Sequence, residues 1–303
     1  MINGIINVYK EKGFTSHDVV AKLRGICRQK KIGHTGTLDP DAEGVLPVCL
    51  GNATKLCEML TDKTKEYEAE FLLGVTTDTQ DMSGTVITQK EVLITEDALK
   101  ETILSFVGEY DQLPPMYSAI KVNGKKLYEL AREGKEVERK SRRVKILSIE
   151  IQRVALPLFK IRVQCSKGTY IRTLGADIGE KLGCGAAMTS LLRTSAGNFK
   201  VEEALTLSQI EALRDANELL QNVVTVESVF DQLRKGTVKS EYRNYIDNGN
   251  AISASQLSEN EDWHPAEQIR MYNNDLVFCG IYEYKQAERL FKPVKIFPNT
   301  VEL

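Results

Sequence analysis

The chain has 303 residues, is 42% hydrophobic and 27% charged, and carries a net charge of −2, the composition of an ordinary globular protein with room for a large core in one domain or two. No run of about 18 apolar residues occurs, so a helical membrane span is excluded. The start, MINGIINVYKEKG, lacks the basic and apolar regions of a signal peptide, and a cytoplasmic location is expected. Six scattered cysteines without a C-x-x-C pair and three well-separated histidines argue against a disulfide framework or a metal site.

In chain order, residues 3–9 read as a strand, and Ser16 is placed to cap a helix running to about Gln29 with Val19, Val20, Leu23, Ile26 and Cys27 on its apolar side. VLPVCLG (45–51) reads as a buried strand, with Asn52 capping the helix after it. The alternation of Tyr67, Ala69, Phe71 and Leu73 with Glu66, Glu68 and Glu70 is that of a half-exposed strand. A helix is expected from Thr95 to near Gly108, then a strand over 117–122, a turn at Asn123-Gly124 and a helix from about Lys126 to Arg132. Strands at 144–153 and 158–165 flank Pro157, and 168–183 reads as a helix with glycine at entry and exit. No regular βαβ alternation appears. The expected class is therefore α+β, a mixed or antiparallel central sheet flanked by helices. After about Phe230 a polar, turn-rich stretch precedes strand-like segments near 268–272, 276–284 and 289–297, the pattern of a small, separate β-rich module.

Charge is unevenly spread. From Lys121 to Lys200 there are eighteen Lys/Arg against seven Asp/Glu, whereas from Val201 to Leu303 there are ten against seventeen. The basic middle fits a polyanion, most simply nucleic acid, although REGKEVERKSRRVK alone reads equally well as solvated helix surface.

The stretch GHTGTLDPDAEGVLPVCLGNATK, Gly33 to Lys55, asks for a chemical reading. It is no phosphate-binding P-loop, because no Gly-Lys-Ser/Thr follows the glycines. As a calcium loop it fails at its twelfth position, where Leu50 replaces the bidentate glutamate. Asp39 with Asp41 or Glu43 makes a poor glycosidase pair, since such carboxylates face each other from separate elements. On this loop alone, Asp-Pro is a common turn former.

Taken with three later stretches, the loop resembles the catalytic loop of the bacterial, TruB-type tRNA pseudouridine-55 synthases. KEYEAEFLLGVTTDTQDMSG (65–84) resembles the family's K-x-Y strand and L-G-x-x-T-x-T-x-D run. LPPMYSAIKVNGKKLYELAREG (113–134) resembles its P-P-x-[YF]-S-A-x-K segment. SKGTYIRTLGADIGEKLGCGAAMTSLLRTSAGNF (166–199) is similar to its G-T-Y-I-R-[ST]-L motif and the leucine-arginine segment beyond that motif. The resemblance covers roughly residues 3–230. It departs at Tyr9-Lys10-Glu11, where the family often has Asp-Lys-Pro, and at Leu191-Leu192-Arg193, where Leu-Arg-Arg is frequent.

The resemblance implies a pseudouridine synthase catalytic domain over 1–230 and a C-terminal PUA-like RNA-binding domain over 231–303. It implies isomerisation of a tRNA T-arm uridine, with the base flipped out of its stack. Breaking the C1′–N1 bond and rejoining through C5 involves neither redox nor phosphoryl transfer, so no cofactor and no metal is expected. By the same resemblance Asp39 is the nucleophile and Arg172 pairs with it, keeping the carboxylate ionised. Tyr67 stacks on the flipped uracil, Tyr170 and Leu191 line the pocket, His34 enters the T-loop, and Lys10 contacts substrate. Lys121, Lys125, Lys126, Arg142 and Arg143 are candidate phosphate contacts. The expected partner is tRNA, with no membrane, no obligate protein partner and a monomeric state. Three other readings stay in play: a non-catalytic RNA-binding or tRNA-folding module on the same scaffold, a guide-dependent relative acting on other RNA, and a nucleoside hydrolase using Asp39.

Overall fold

The computed structural model describes residues 1–122 and 124–297. Strands β1 (Gly4–Lys10), β2 (Ile32–His34), β3 (Glu43–Leu50), β4 (Lys65–Leu73), β5 (Gly108–Gln112), β6 (Arg142–Ala155), β7 (Leu158–Cys165), β8 (Ala186–Ala196) and β9 (Phe199–Lys200) form one mixed sheet. Its path runs β1-β3-β8-β4-β7-β6-β5, with β2 pairing to β3 and β9 to β8. All its ladders are antiparallel except β3 against β8. The α+β class follows, as the residue patterns imply.

The alternation in β4 is realised at every position: Lys65, Tyr67, Ala69, Phe71 and Leu73 are buried, and the four residues between them are half-buried. Glu68, on the other face, is held by Lys160, Arg162 and Gln152. Two helical layers cover the sheet. Helices α2 (Glu96–Leu104) and α3 (Ile171–Lys181) pack Leu99, Ile103, Leu174 and Ile178 against Phe71, Phe159 and Ile161. Helices α1 (Ser16–Ile26) and α4 (Leu207–Asp215) pack Val19, Leu23 and Ile210 against Ile6, Val8 and Leu46. Each large apolar side chain so buried is worth about 1.5–3 kcal/mol.

Several local expectations change. The cap of α1 is Thr15, whose side chain accepts from Asp18 N while the Asp18 carboxylate accepts from Thr15 N. A carboxylate three residues after Thr15 completes that reciprocal box, and Ser16 is left free for a tertiary contact. Helix α1 ends at Ile26, before Gln29. The cap position falls at Leu50 and not at Asn52, which lies inside the 3-10 turn Gly51–Leu56, its N–H donating to Asn3 Oδ1. Helix α2 stops at Leu104, and Gly108 opens a strand. Of the strand expected over 117–122, only Lys121–Val122 pairs, with Lys125–Lys126, ahead of a helix at Leu127–Arg132. The turn expected at Asn123-Gly124 includes Asn123, outside the described residues.

The C-terminal strands form a second sheet: β10 (Arg234–Thr237), β11 (Ile252–Ser253), β12 (Gln268–Tyr272), β13 (Phe278–Lys285) and β14 (Leu290–Ile296), ordered β10-β12-β13-β14-β11. It is not detached. Ile281 and Phe297 share one buried cluster with Ile5, Val45, Ala53, Leu56 and Phe230, and Lys55 Nζ donates to Ile296 O at 2.8 Å. Among the described residues no helix is long and apolar enough to cross a membrane.

Candidate active site

The loop between β2 and β3 is tied down on both sides of Asp39. Leu38 N donates to Ser16 Oγ at 2.9 Å, which returns a bond to Leu38 O. Pro40 O accepts from Gly13 N at 2.9 Å and from Lys10 Nζ at 3.1 Å. Ala42 N closes a turn onto Asp39 O. At the far end Gly44 has φ +103, and a Cβ there would meet Arg193 O at 2.3 Å, so only glycine lets β3 lie this close to β8. The loop is therefore built to hold one carboxylate still.

Arg172, in the first turn of α3, meets that carboxylate: its Nε lies 2.9 Å from Asp39 Oδ2. The arginine side chain is 5% exposed and Asp39 38%. Arg172 Nη1 also donates to Thr79 O and faces Asp81 Oδ2 at 3.5 Å, while Nη2 donates to Tyr117 O at 2.9 Å. Asp39 retains a solvent-facing edge yet is crowded by protein, and that desolvation raises its pKa. Arg172 opposes the rise, Asp81 adds to it, and Lys10 opposes it.

Tyr67, Leu191, Tyr170 and Lys10 gather round this pair, while His34 stands at the start of the same loop and interacts with Gly36 and Arg193. Tyr67 and Leu191 share one buried cluster with Leu38 and Ala42, from the Asp39 loop. Tyr170 is the residue before α3, half-buried, and its phenol pKa is raised by burial with Arg142 opposing. His34 ends β2; its Nδ1 accepts from Gly36 N, and burial, then Arg193, lower its pKa. Lys10 is wholly buried and points its amine at the Asp39 loop; desolvation lowers its pKa to about 8, against the pull of Asp39.

Three polar residues join the site without having been singled out. Asp81 is the second carboxylate on Arg172, and it is the closing aspartate of the L-G-x-x-T-x-T-x-D run. Arg193, within the departing Leu-Leu-Arg stretch, is buried; its Nε donates to Val45 O at 2.6 Å and its Nη2 to Gly36 O at 3.3 Å. It sits directly across the β4–β8 ladder from Tyr67, its guanidinium beside the phenol. Gln112 is hydrogen-bonded to the backbone of Tyr170. Among the described residues no group of three or more His, Cys, Asp or Glu could hold a metal ion.

Known proteins share this sequence and fold. The TruB family pseudouridylate synthase N-terminal domain matches residues 24–171, and the tRNA pseudouridylate synthase B C-terminal domain matches residues 172–233. A tRNA pseudouridine synthase B of Lachnoclostridium phytofermentans is 52% identical, across 98% of this chain and all of that protein. The chain belongs to the TruB family of pseudouridylate synthases. Another TruB relative, tRNA pseudouridine synthase B of Alkaliphilus oremlandii, is 48% identical across 92% of this chain and 93% of that protein. Among solved structures, a chain of a Cbf5-Nop10-Gar1 complex superposes with a TM-score of 0.72 at 27% identity, across 97% of this chain and 84% of that one. The TruB matches extend over all of the residues gathered at Asp39 from His34 onward.

Proposed function

We propose that this protein is a tRNA pseudouridine synthase that isomerises uridine 55 in the T-loop, with Asp39 as nucleophile. The observation that carries the reading is the Asp39–Arg172 pair, held beside Tyr67 and Leu191 in a chain 52% identical to a protein named tRNA pseudouridine synthase B. The reaction breaks the bond between C1′ and N1, turns the uracil, and forms the bond between C1′ and C5. The C5 proton then leaves to solvent, and N1 ends protonated.

Each group has a task in that sequence. Asp39 must be ionised to act, and its solvent-facing edge admits a flipped nucleotide. Arg172 keeps it charged where burial would favour the neutral acid. Tyr67, Leu191 and Tyr170 would supply a flat and apolar pocket, and His34, at the end of β2, would enter the T-loop. Lys121, Lys125, Lys126, Arg142 and Arg143 position the RNA backbone. Lys125 is engaged by Glu133 and Arg143 by Asp111, exposed and solvent-screened pairs that a phosphate can displace. The C-terminal sheet would add RNA contacts as a PUA-like domain. The protein would work as a cytoplasmic monomer on the tRNA T-arm.

The test uses T-arm transcripts tritiated at uridine C5. Release by the wild-type protein, confined to the T-loop uridine and lost in Asp39→Asn, is the expected result. Tight binding without release from either protein would leave an RNA-binding or tRNA-folding module instead. Free uracil among the products would make the protein a nucleoside hydrolase.

A further inference from the structure

We infer that Gln112 is a positioning residue for the pocket, acting through the peptide of Tyr170. Tyr170 occupies the position before α3 at which Ser, Thr, Asp or Asn ordinarily supplies a side-chain cap, and it makes no such bond. The restraint comes from another element. Gln112 ends β5 and is 1% exposed. Its Oε1 accepts from Tyr170 N at 2.7 Å, and its Nε2 donates to Tyr170 O at 3.0 Å. One primary amide thus brackets both polar groups of one residue's backbone, as a neighbouring strand would.

The consequences reach the chemistry in two directions. Tyr170 is fixed at its Cα, which sets where its ring stands in the pocket. Arg172 follows two residues later, so the direction in which α3 starts determines where its guanidinium meets Asp39. Gln112 itself is held from behind, because its Nε2 also donates to the Tyr110 hydroxyl on the same strand. It also faces Arg142 across the β5–β6 ladder. A glutamine is suited to this place because it presents an acceptor oxygen and a donor nitrogen with two N–H bonds side by side on one planar group. Neither Glu in its charged form nor an apolar side chain can do both.

That chemistry gives a readout that mere packing would not move. In Gln112→Glu, a protonated carboxyl reproduces the amide, its carbonyl accepting from Tyr170 N and its hydroxyl donating to Tyr170 O. Ionised, it turns a second acceptor toward the Tyr170 carbonyl. Burial favours the neutral acid, so the change falls above the usual carboxylate range. Other titrating groups nearby are Tyr110, Cys165, Tyr170, Asp39 and, on α3 facing Tyr110, Asp177, whose pKa burial lifts to about 6. Being shared by variant and wild type, they are removed by taking the ratio of rates at each pH.

The inference rests on the proposed pseudouridylation, and wild-type tritium release from the T-arm transcript is the control that tests that reading by itself. With it in hand, kcat and KM are measured from pH 5 to pH 9 for wild type, Gln112→Glu and Gln112→Met, with circular dichroism at each pH. Expected for Gln112→Glu is a kcat within about threefold of wild type at pH 5, falling at least tenfold below it by pH 8, with KM unchanged. Gln112→Met should lose about tenfold in kcat at every pH. A folded Gln112→Glu whose ratio to wild type is flat with pH, or a loss confined to KM, overturns the inference. Should Gln112→Glu unfold at high pH, Gln112→Met decides: a kcat within twofold of wild type refutes positioning.

Discussion

Arg172 Nε lies 2.9 Å from Asp39 Oδ2, and the same guanidinium also holds Asp81, Thr79 O and Tyr117 O. One buried cation thus ties four segments together: the Asp39 loop, the turn after β4, the segment before Lys121 and α3. Its planar fork makes this possible; a lysine ammonium in the same place would be a point charge on a narrower reach.

Arg172→Lys is therefore expected to fold but to turn over slowly. The expected loss is about 100- to 1,000-fold in kcat, the scale seen when one preorganised hydrogen-bond donor is removed. Arg172→Ala should in addition destabilise the fold by about 3–5 kcal/mol, because Asp81 would be left without its cation. Urea unfolding alongside C5-tritium release separates the two effects. An Arg172→Lys enzyme with wild-type kcat would show that the pair is structural only.

The pH dependence of turnover should follow Asp39. Its pKa is raised chiefly by desolvation, with Arg172 the largest opposing influence. A nucleophile is active when ionised, so kcat should rise with pH along a limb lying above the ordinary carboxylate range. In Arg172→Gln the opposing charge is gone, and the residual activity should rise along a limb displaced to still higher pH. Rates from pH 4 to pH 8 on both proteins test this. A limb that stays in place or moves down in Arg172→Gln would mean that another group titrates.

Much of this site was legible because it lies in continuous stretches. The Gly33–Lys55 loop, the Tyr67 strand and the GTYIRTL segment each carry their own pattern, and β4 shows its buried face residue by residue. What escaped depends on elements meeting in space. Gln112 is one polar residue before two prolines until β5 is laid beside α3. Arg193 looks like a surface charge until the β4–β8 ladder seats it opposite Tyr67, between Val45 O and Gly36 O. The hairpin at Lys121–Lys126 is too short for any periodicity to announce it. At Thr15 the signal was present, because Asp18 stands at capping-box spacing from Thr15 and not from Ser16.

Lys10 should leave a mark on alkaline stability. Its folded pKa is lowered to about 8 by desolvation, while in the unfolded chain it takes the ordinary lysine value. Between these two pKa values the unfolded chain binds the proton and the folded protein does not, so this contribution to stability grows as pH rises from about 8. Below that range the folded state must hold a buried ammonium, and the contribution is lost. In Lys10→Met the difference vanishes. The gap in urea midpoint between Lys10→Met and wild type should therefore favour the variant most at pH 7 and narrow by pH 9.5. A gap constant over that range would place the amine in solvent.

The C-terminal sheet should matter to the fold before it matters to RNA. Ile281 and Phe297 close a cluster that includes Ile5, Val45 and Cys49, from the half of the sheet that carries the Asp39 loop, and Ala53 and Leu56 from the 3-10 turn after β3. A chain ending after Phe230 would open that face to water, at about 1.5–3 kcal/mol for each large side chain uncovered. It should melt several degrees lower than the full chain, and its activity should fall with the folded fraction. Phe297→Ser, which leaves the second sheet intact as a surface, should lower the melting temperature by a smaller step in the same direction. Heat denaturation of all three proteins, with turnover measured well below each transition, distinguishes the two roles. A truncated chain as stable as the full one, yet unable to bind T-arm RNA, would make the sheet an RNA-binding appendage and nothing more.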